Sequence, residues 1–115
     1  MVAGRNQVLG AFGEDRAVEW YESNGYAIVA RNWRGTAGEI DIVARKHAVL
    51  VISEVKTRTS DRFGLPAEAI TPAKQRRLRR LAAEFMAATK LGRCEVRFDV
   101  VSVLAGQVEV IEAAF

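Results

Sequence analysis

Asp41 and Glu54 stand thirteen positions apart on two short runs, Gly38-Glu39-Ile40-Asp41-Ile42-Val43-Ala44 and Val51-Ile52-Ser53-Glu54-Val55-Lys56. Hydrolysis of a phosphodiester needs charge neutralised on the non-bridging oxygens, hydroxide generated near neutral pH, and the leaving alkoxide stabilised. Mg2+ or Mn2+ can serve all three needs when two or three hard oxygen ligands hold it and leave positions open. Asp41 and Glu54 suit such a role, and the carbonyl of Val55 can add a third oxygen. Lys56 can reach an attacking water or the phosphate as a positive charge. Taken without Asp41, the Glu54-x-Lys56 pair reads first as a same-face ion pair on an exposed strand, and it is Gly38-Glu39-Ile40-Asp41 on the preceding strand that turns the reading toward metal ligands.

Both runs alternate like strands, and a turn at Lys46-His47 makes them an antiparallel hairpin. Side chains on a strand alternate faces. The pattern therefore places Glu39 with Asp41, and Glu54 with Lys56, while Ile40, Ile42, Val51 and Val55 take the opposite, apolar side. Carboxylates crowded together are unfavourable unless a cation neutralises them.

Glu14 is a third carboxylate of interest. On a helical wheel it falls with Gly10, Gly13, Ala17 and Tyr21, a small-residue face suited to close packing on a sheet, whereas Asp15, Glu19 and Glu22 lie elsewhere. An acid on a packing face needs a partner: a metal, Lys56, an arginine or a backbone group. Glu39 is either a further ligand or an edge carboxylate. Arg58 follows on the face of Lys56, within reach of phosphate. Arg31, Asn32, Trp33 and Arg34 combine hydrogen-bond donors with an indole that could stack on a base or belong to the core. Lys74, Arg76, Arg77 and Arg80 are further candidate phosphate contacts. His47 reads as solvated, and Cys94 as an inert thiol.

The positioning elements follow from periodicity and punctuation. A helix is expected from about Asn6 to Asn24, stopped by Gly25. A strand follows over 26–34, then a turn at Gly35-Thr36-Ala37-Gly38, then the hairpin over 39–58. The run 59–66 is rich in breakers and reads as a loop. A second helix begins at its cap Thr71 with Pro72 in the first turn and is stopped by Gly92. Its apolar stripe is Leu78, Leu81, Ala82, Phe85 and Met86, with arginines opposite and flanking. A strand over 95–104 turns at Ala105-Gly106 into a short last one, 107–111. The order α-β-β-β-α-β-β predicts an α/β fold. After its helical crossover the fourth strand can lie parallel to a central one, giving a mixed sheet flanked by helices.

A chain of 115 residues, half hydrophobic and 27% charged, predicts one globular domain over 1–115. The absence of a long apolar run argues against a membrane span, and the first six residues hold no signal-peptide core, so a cytoplasmic location is expected. One cysteine excludes an internal disulfide. Net charge is only +3, yet residues 54–80 carry eight basic side chains against three acidic ones, a block suited to a polyanion.

Gly13-Glu14, Ala17, Gly25-Tyr26, Arg31-Asn32-Trp33-Arg34, Gly38-Glu39-Ile40-Asp41, Glu54-Val55-Lys56-Thr57-Arg58, Phe63-Gly64, Lys74 and Arg97-Phe98-Asp99-Val100 together resemble the YraN family of small bacterial proteins. That family is similar in turn to the PD-(D/E)xK nucleases, the archaeal Holliday-junction resolvases in particular, whose restriction-endonuclease-like core has the order α-β-β-β-α-β. The resemblance implies Asp41 and Glu54 as metal ligands, Lys56 as the catalytic lysine and Glu14 as the helix-borne acid. Ser53 stands where an apolar residue is usual, and Ile40 where a proline would precede the Asp. The expectation is a Mg2+- or Mn2+-dependent nuclease acting on DNA, branched or structured DNA included, and best served by a homodimer on two strands. The alternatives are a non-catalytic nucleic-acid-binding protein of the same fold and a scaffold in which the acid–lysine cluster only joins helix to sheet.

Overall fold

The computed structural model describes residues 5–58 and 70–115, with side chains from Gly10 onward in the first helix. The expected loop at 59–66, with Phe63-Gly64, lies outside the described residues. The elements are α1 (Arg5–Ser23), β1 (Ala27–Gly35), β2 (Gly38–Lys46), β3 (Val49–Arg58), α2 (Pro72–Thr89), β4 (Glu95–Leu104) and β5 (Gln107–Ile111). They form one five-stranded sheet in sequential order, antiparallel except where β3 runs parallel to β4. The mixed sheet with the return crossover through α2 is therefore as the periodicity predicts. No helix among the described residues is long and apolar enough to cross a membrane.

Each helix covers its own face of the sheet. Leu78, Leu81, Ala82 and Phe85 of α2 pack on Ile40, Val43, Leu50, Ile52 and Phe98. Ala17 and Tyr21 of α1 pack on Ile42, Ala44, Val51, Val101 and Val103. Thr71 caps α2 by accepting from the Lys74 N–H, and Pro72 follows at the first turn. The other end differs from expectation: Lys90, not Gly92, adopts the left-handed cap with φ 53°, and its N–H closes onto the Met86 carbonyl. Trp33 meets Phe85 edge-on at 5.3 Å and belongs to the α2-side core.

Two departures from regular alternation shape the molecule. Ile42 faces α1, as does Ala44, but Ile40 faces α2. The expectation that Ile40 and Ile42 share a face is thus wrong. On the neighbouring strand Arg31 contacts acids of α1, whereas Trp33 packs on α2. Register pairs Arg31 with Ile42 and Trp33 with Ile40, so Asn32 and Asp41 stand opposite each other at the switch. Asn32 makes the change with φ 51°, a left-handed conformation that asparagine tolerates better than most residues.

A buried polar network ties α1 to the sheet. The Tyr21 hydroxyl contacts Asp99 Oδ2 at 2.8 Å and Ser53 Oγ at 3.0 Å. Arg97 binds both Asp99 oxygens at 2.9 Å, and the Ala113 N–H donates to Oδ1 at 3.1 Å. Asp99 is fully buried, and each of its oxygens accepts from donors within the network. Burial first, then the charge of Asp99, pushes the Tyr21 hydroxyl far up from its ordinary value. Asp99→Ala would remove the buried acceptor that Arg97 and Tyr21 share, and a loss of about 3 kcal/mol is expected in urea unfolding; a loss below about 1 kcal/mol would mean that water replaces the carboxylate.

α1 approaches β3 most closely at Gly13, where an added Cβ would collide with the side chain of Thr57. Gly13→Ala should therefore destabilise by about 1–3 kcal/mol, although alanine is the better helix former by about 1 kcal/mol. An unchanged urea midpoint would show that the helix can move away from Thr57.

Candidate active site

The site lies where β2 parts from β3. Their ladder runs from Lys46↔Val49 to Ile42↔Ser53, while β3 continues beside β4 as far as Arg58↔Leu104. Past Ser53, the Val55 N–H donates instead to Asp41 Oδ2 at 2.8 Å. A carboxylate has taken over an acceptor role on the strand's edge, and this fixes Asp41 beside Glu54 and Val55.

Alternation on β3 sends Ser53 toward α1, where it joins the Tyr21 network, and Glu54 toward α2. Glu54 is met there by two lysines, with Lys74 Nζ of α2 at 3.1 Å from Oε1 and Lys56 Nζ at 3.5 Å. Only 12% of the Glu54 side chain is exposed. Glu14 arrives from the opposite face. Its Oε1 accepts from Asn32 Nδ2 at 3.0 Å and Arg31 Nε at 3.3 Å, while Arg31 also holds Asp15 at 2.7 Å.

The electrostatics show how closely these groups are coupled. Burial raises the Asp41 carboxyl to about 7, and the charges of Glu54, Glu14 and Glu39 add to the effect against the opposing Val55 N–H. The Lys56 amine is lowered by burial and by its contact with Lys74, with Glu54 opposing. Lys74 is raised: burial works against its charge, but contacts with Lys56 and Glu54 outweigh that. Of the two lysines, Lys74 keeps its proton the more firmly.

The other residues singled out by the sequence lie on or beside the neighbouring elements. Arg34 is well exposed and 3.9 Å from Glu39 Oε2. Arg77 is exposed and lies beside Gly38, so both arginines border the segment leading into Asp41. Arg58 is half-buried at the end of β3. His47 is exposed in its turn and Cys94 packs partly buried against the α2-side core.

Lys74, a candidate phosphate contact by its charge, is bonded to Glu54. Its spacing from Glu54 gives no hint of this, because the contact depends on how α2 docks. Pattern and spacing assign no role to Arg97 and Asp99, which the structure places in the buried network. The signal that could have found them is a charged pair two residues apart on one face of an apolar strand, which demands an internal partner.

Residues 13–103 match the model of the uncharacterised protein family UPF0102. The chain belongs to this family. A UPF0102 protein of Beutenbergia cavernae is 52% identical over 96 residues, covering 84% of this chain and 81% of its own. One from Caldicellulosiruptor saccharolyticus is 50% identical over 95 residues, covering 83% and 80%, and one from Rhodococcus opacus is 44% identical over 115 residues, covering 96% and 98%. The UPF0102 assignment agrees with the YraN-like family that the motifs indicate.

Asp41 provides a pH test. Folding raises its proton affinity from the ordinary 3.8 to about 7, so between those values the folded chain binds more protons than the unfolded one. Its contribution to stability is present below about pH 4 and is lost as pH rises through about 7. Asp41→Asn keeps an acceptor for Val55 but cannot ionise. It should be more stable than the parent by about 1–2 kcal/mol at pH 8 without divalent ions, a discounted figure because water reaches part of the carboxyl. Urea melts across pH 4–8 check this, and parallel curves would disprove it.

Proposed function

We propose that this UPF0102 protein is a divalent-metal-dependent nuclease that hydrolyses DNA phosphodiester bonds. The observation that carries the reading is the placing of Asp41 with Glu54 beside two half-buried lysines, where burial first and the charge of Glu54 second raise the Asp41 carboxyl to about 7. A structural ion pair would hold its acid low, whereas perturbed groups gathered in one notch are a recurrent mark of chemistry.

The donors fit Mg2+ or Mn2+, since one or two carboxylates with a carbonyl oxygen leave room for water and phosphate. Among the described residues no three His, Cys, Asp or Glu side chains are grouped as a metal site. Glu14 is bonded toward Asn32 and Arg31, and Glu54 toward the lysines, so the core set would be Asp41, Glu54 and the Val55 carbonyl. A bound divalent ion would neutralise phosphate charge and acidify water at this point. Lys56, with its lowered proton affinity, can orient that water and take its proton. Lys74 remains charged, steadies Glu54 and stands ready for phosphate. Arg34 and Arg77, beside the segment leading into Asp41, and Arg58, at the end of β3, offer positive charge to the flanking backbone. Two subunits would bring two such notches to two strands.

The test is a panel of branched, duplex and single-stranded DNA incubated with Mg2+ or Mn2+. Cleavage is expected, with a loss of at least about 100-fold in Asp41→Asn and in Lys56→Ala. Binding without cleavage, equally strong in Asp41→Asn, would replace this reading with that of a non-catalytic DNA-binding protein.

A further inference from the structure

We infer that Asn32 is a positioning residue that orients Glu14 as an outer acid of the proposed metal site, an inference that rests on that site. Four observations converge on it. Asn32 stands opposite Asp41 in the β1–β2 register, between the pairs Arg31↔Ile42 and Trp33↔Ile40. It takes φ 51° within a strand, where a left-handed residue is unfavourable unless something requires it. That conformation lets Arg31 turn toward α1 while Trp33 turns toward α2. Its Nδ2 then donates to Glu14 Oε1 at 3.0 Å.

The consequence for Glu14 is specific. Its side chain is only 13% exposed, and Asn32 and Arg31 both donate to the same oxygen. Arg31 is shared with Asp15, whereas the side-chain amide of Asn32 is committed to Glu14. An amide donor adds no charge, so Asn32 orients the acid without the offset that the Arg31 guanidinium brings to the same oxygen. Asn32 itself stands opposite Asp41, and the charge of the acid it holds disfavours ionisation of Asp41. Leucine or valine at position 32 would meet the backbone penalty and offer no donor. Glycine would accept the backbone but leave Glu14 loose.

The distinguishing experiment titrates Mn2+ by calorimetry into the full chain, Asn32→Gly, Glu14→Ala, the double variant and Asp41→Asn, with thermal melts alongside. Asn32→Gly should melt close to the parent yet bind Mn2+ about tenfold more weakly. In the Glu14→Ala background the same substitution should change nothing further, because Asn32 acts through that carboxylate. If the parent binds Mn2+ in an Asp41-dependent way but Asn32→Gly binds as tightly, the role of Asn32 is overturned while the metal site stands. Simple addition of the two substitutions' effects would overturn it in the same way. Absence of Asp41-dependent binding in the parent would remove the metal site and, with it, this role.

Discussion

The hydrogen bond from the Val55 N–H to the Asp41 carboxylate is the constraint on which the site depends. A backbone N–H at a strand edge needs an acceptor, and here β2 has already left the ladder. The side chain of Asp41 takes that place, so one interaction completes the edge of β3 and brings an acid beside Glu54. The same bond favours the ionised carboxyl, yet burial and neighbouring acids oppose it more strongly. The carboxyl is left poised between its two forms near neutral pH.

Around that bond the two faces of the sheet have different tasks. The α1 face carries the buried Tyr21–Ser53–Asp99–Arg97 network, and the α2 face presents Lys74 to Glu54. Ser53 and Glu54 are consecutive but point to opposite faces, so the network anchors the backbone from one side while the carboxylate meets Lys56 and Lys74 on the other. A serine at position 53, unusual beside an acid–lysine motif, is explained by the tyrosine hydroxyl it meets.

Tight packing lets a molecule of this size hold such groups in place. Gly13 brings α1 against Thr57, one residue from Lys56, and the Glu84 carboxylate of α2 binds the N–H and hydroxyl of Thr36 in the β1–β2 turn at 3.1 and 2.8 Å. Both helices are therefore fastened near the ends of the strands that carry the acids. Displacing either would loosen the geometry around Asp41 and Glu54.

Much of this was legible in the residues themselves. Helix and strand periodicity, the Thr71-Pro72 cap and the Ala105-Gly106 turn are local features, written in neighbours a few positions apart, and they set the order and extents of the elements. Local rules also placed Asp41, Glu54 and Lys56 on adjacent strands. What they could not decide depended on contacts between distant segments. The face switch at Asn32 and Asp41 breaks the alternation that strand reading assumes. The lysine of α2 reaches Glu54 only through the docking of that helix, and Asp99 can be buried because Tyr21 of α1 and the Ala113 N–H come to it from distant segments and join Arg97 of its own strand. Local preference specifies the parts; desolvation and charge, which act through space, determine which of those parts meet and how strongly each holds its proton.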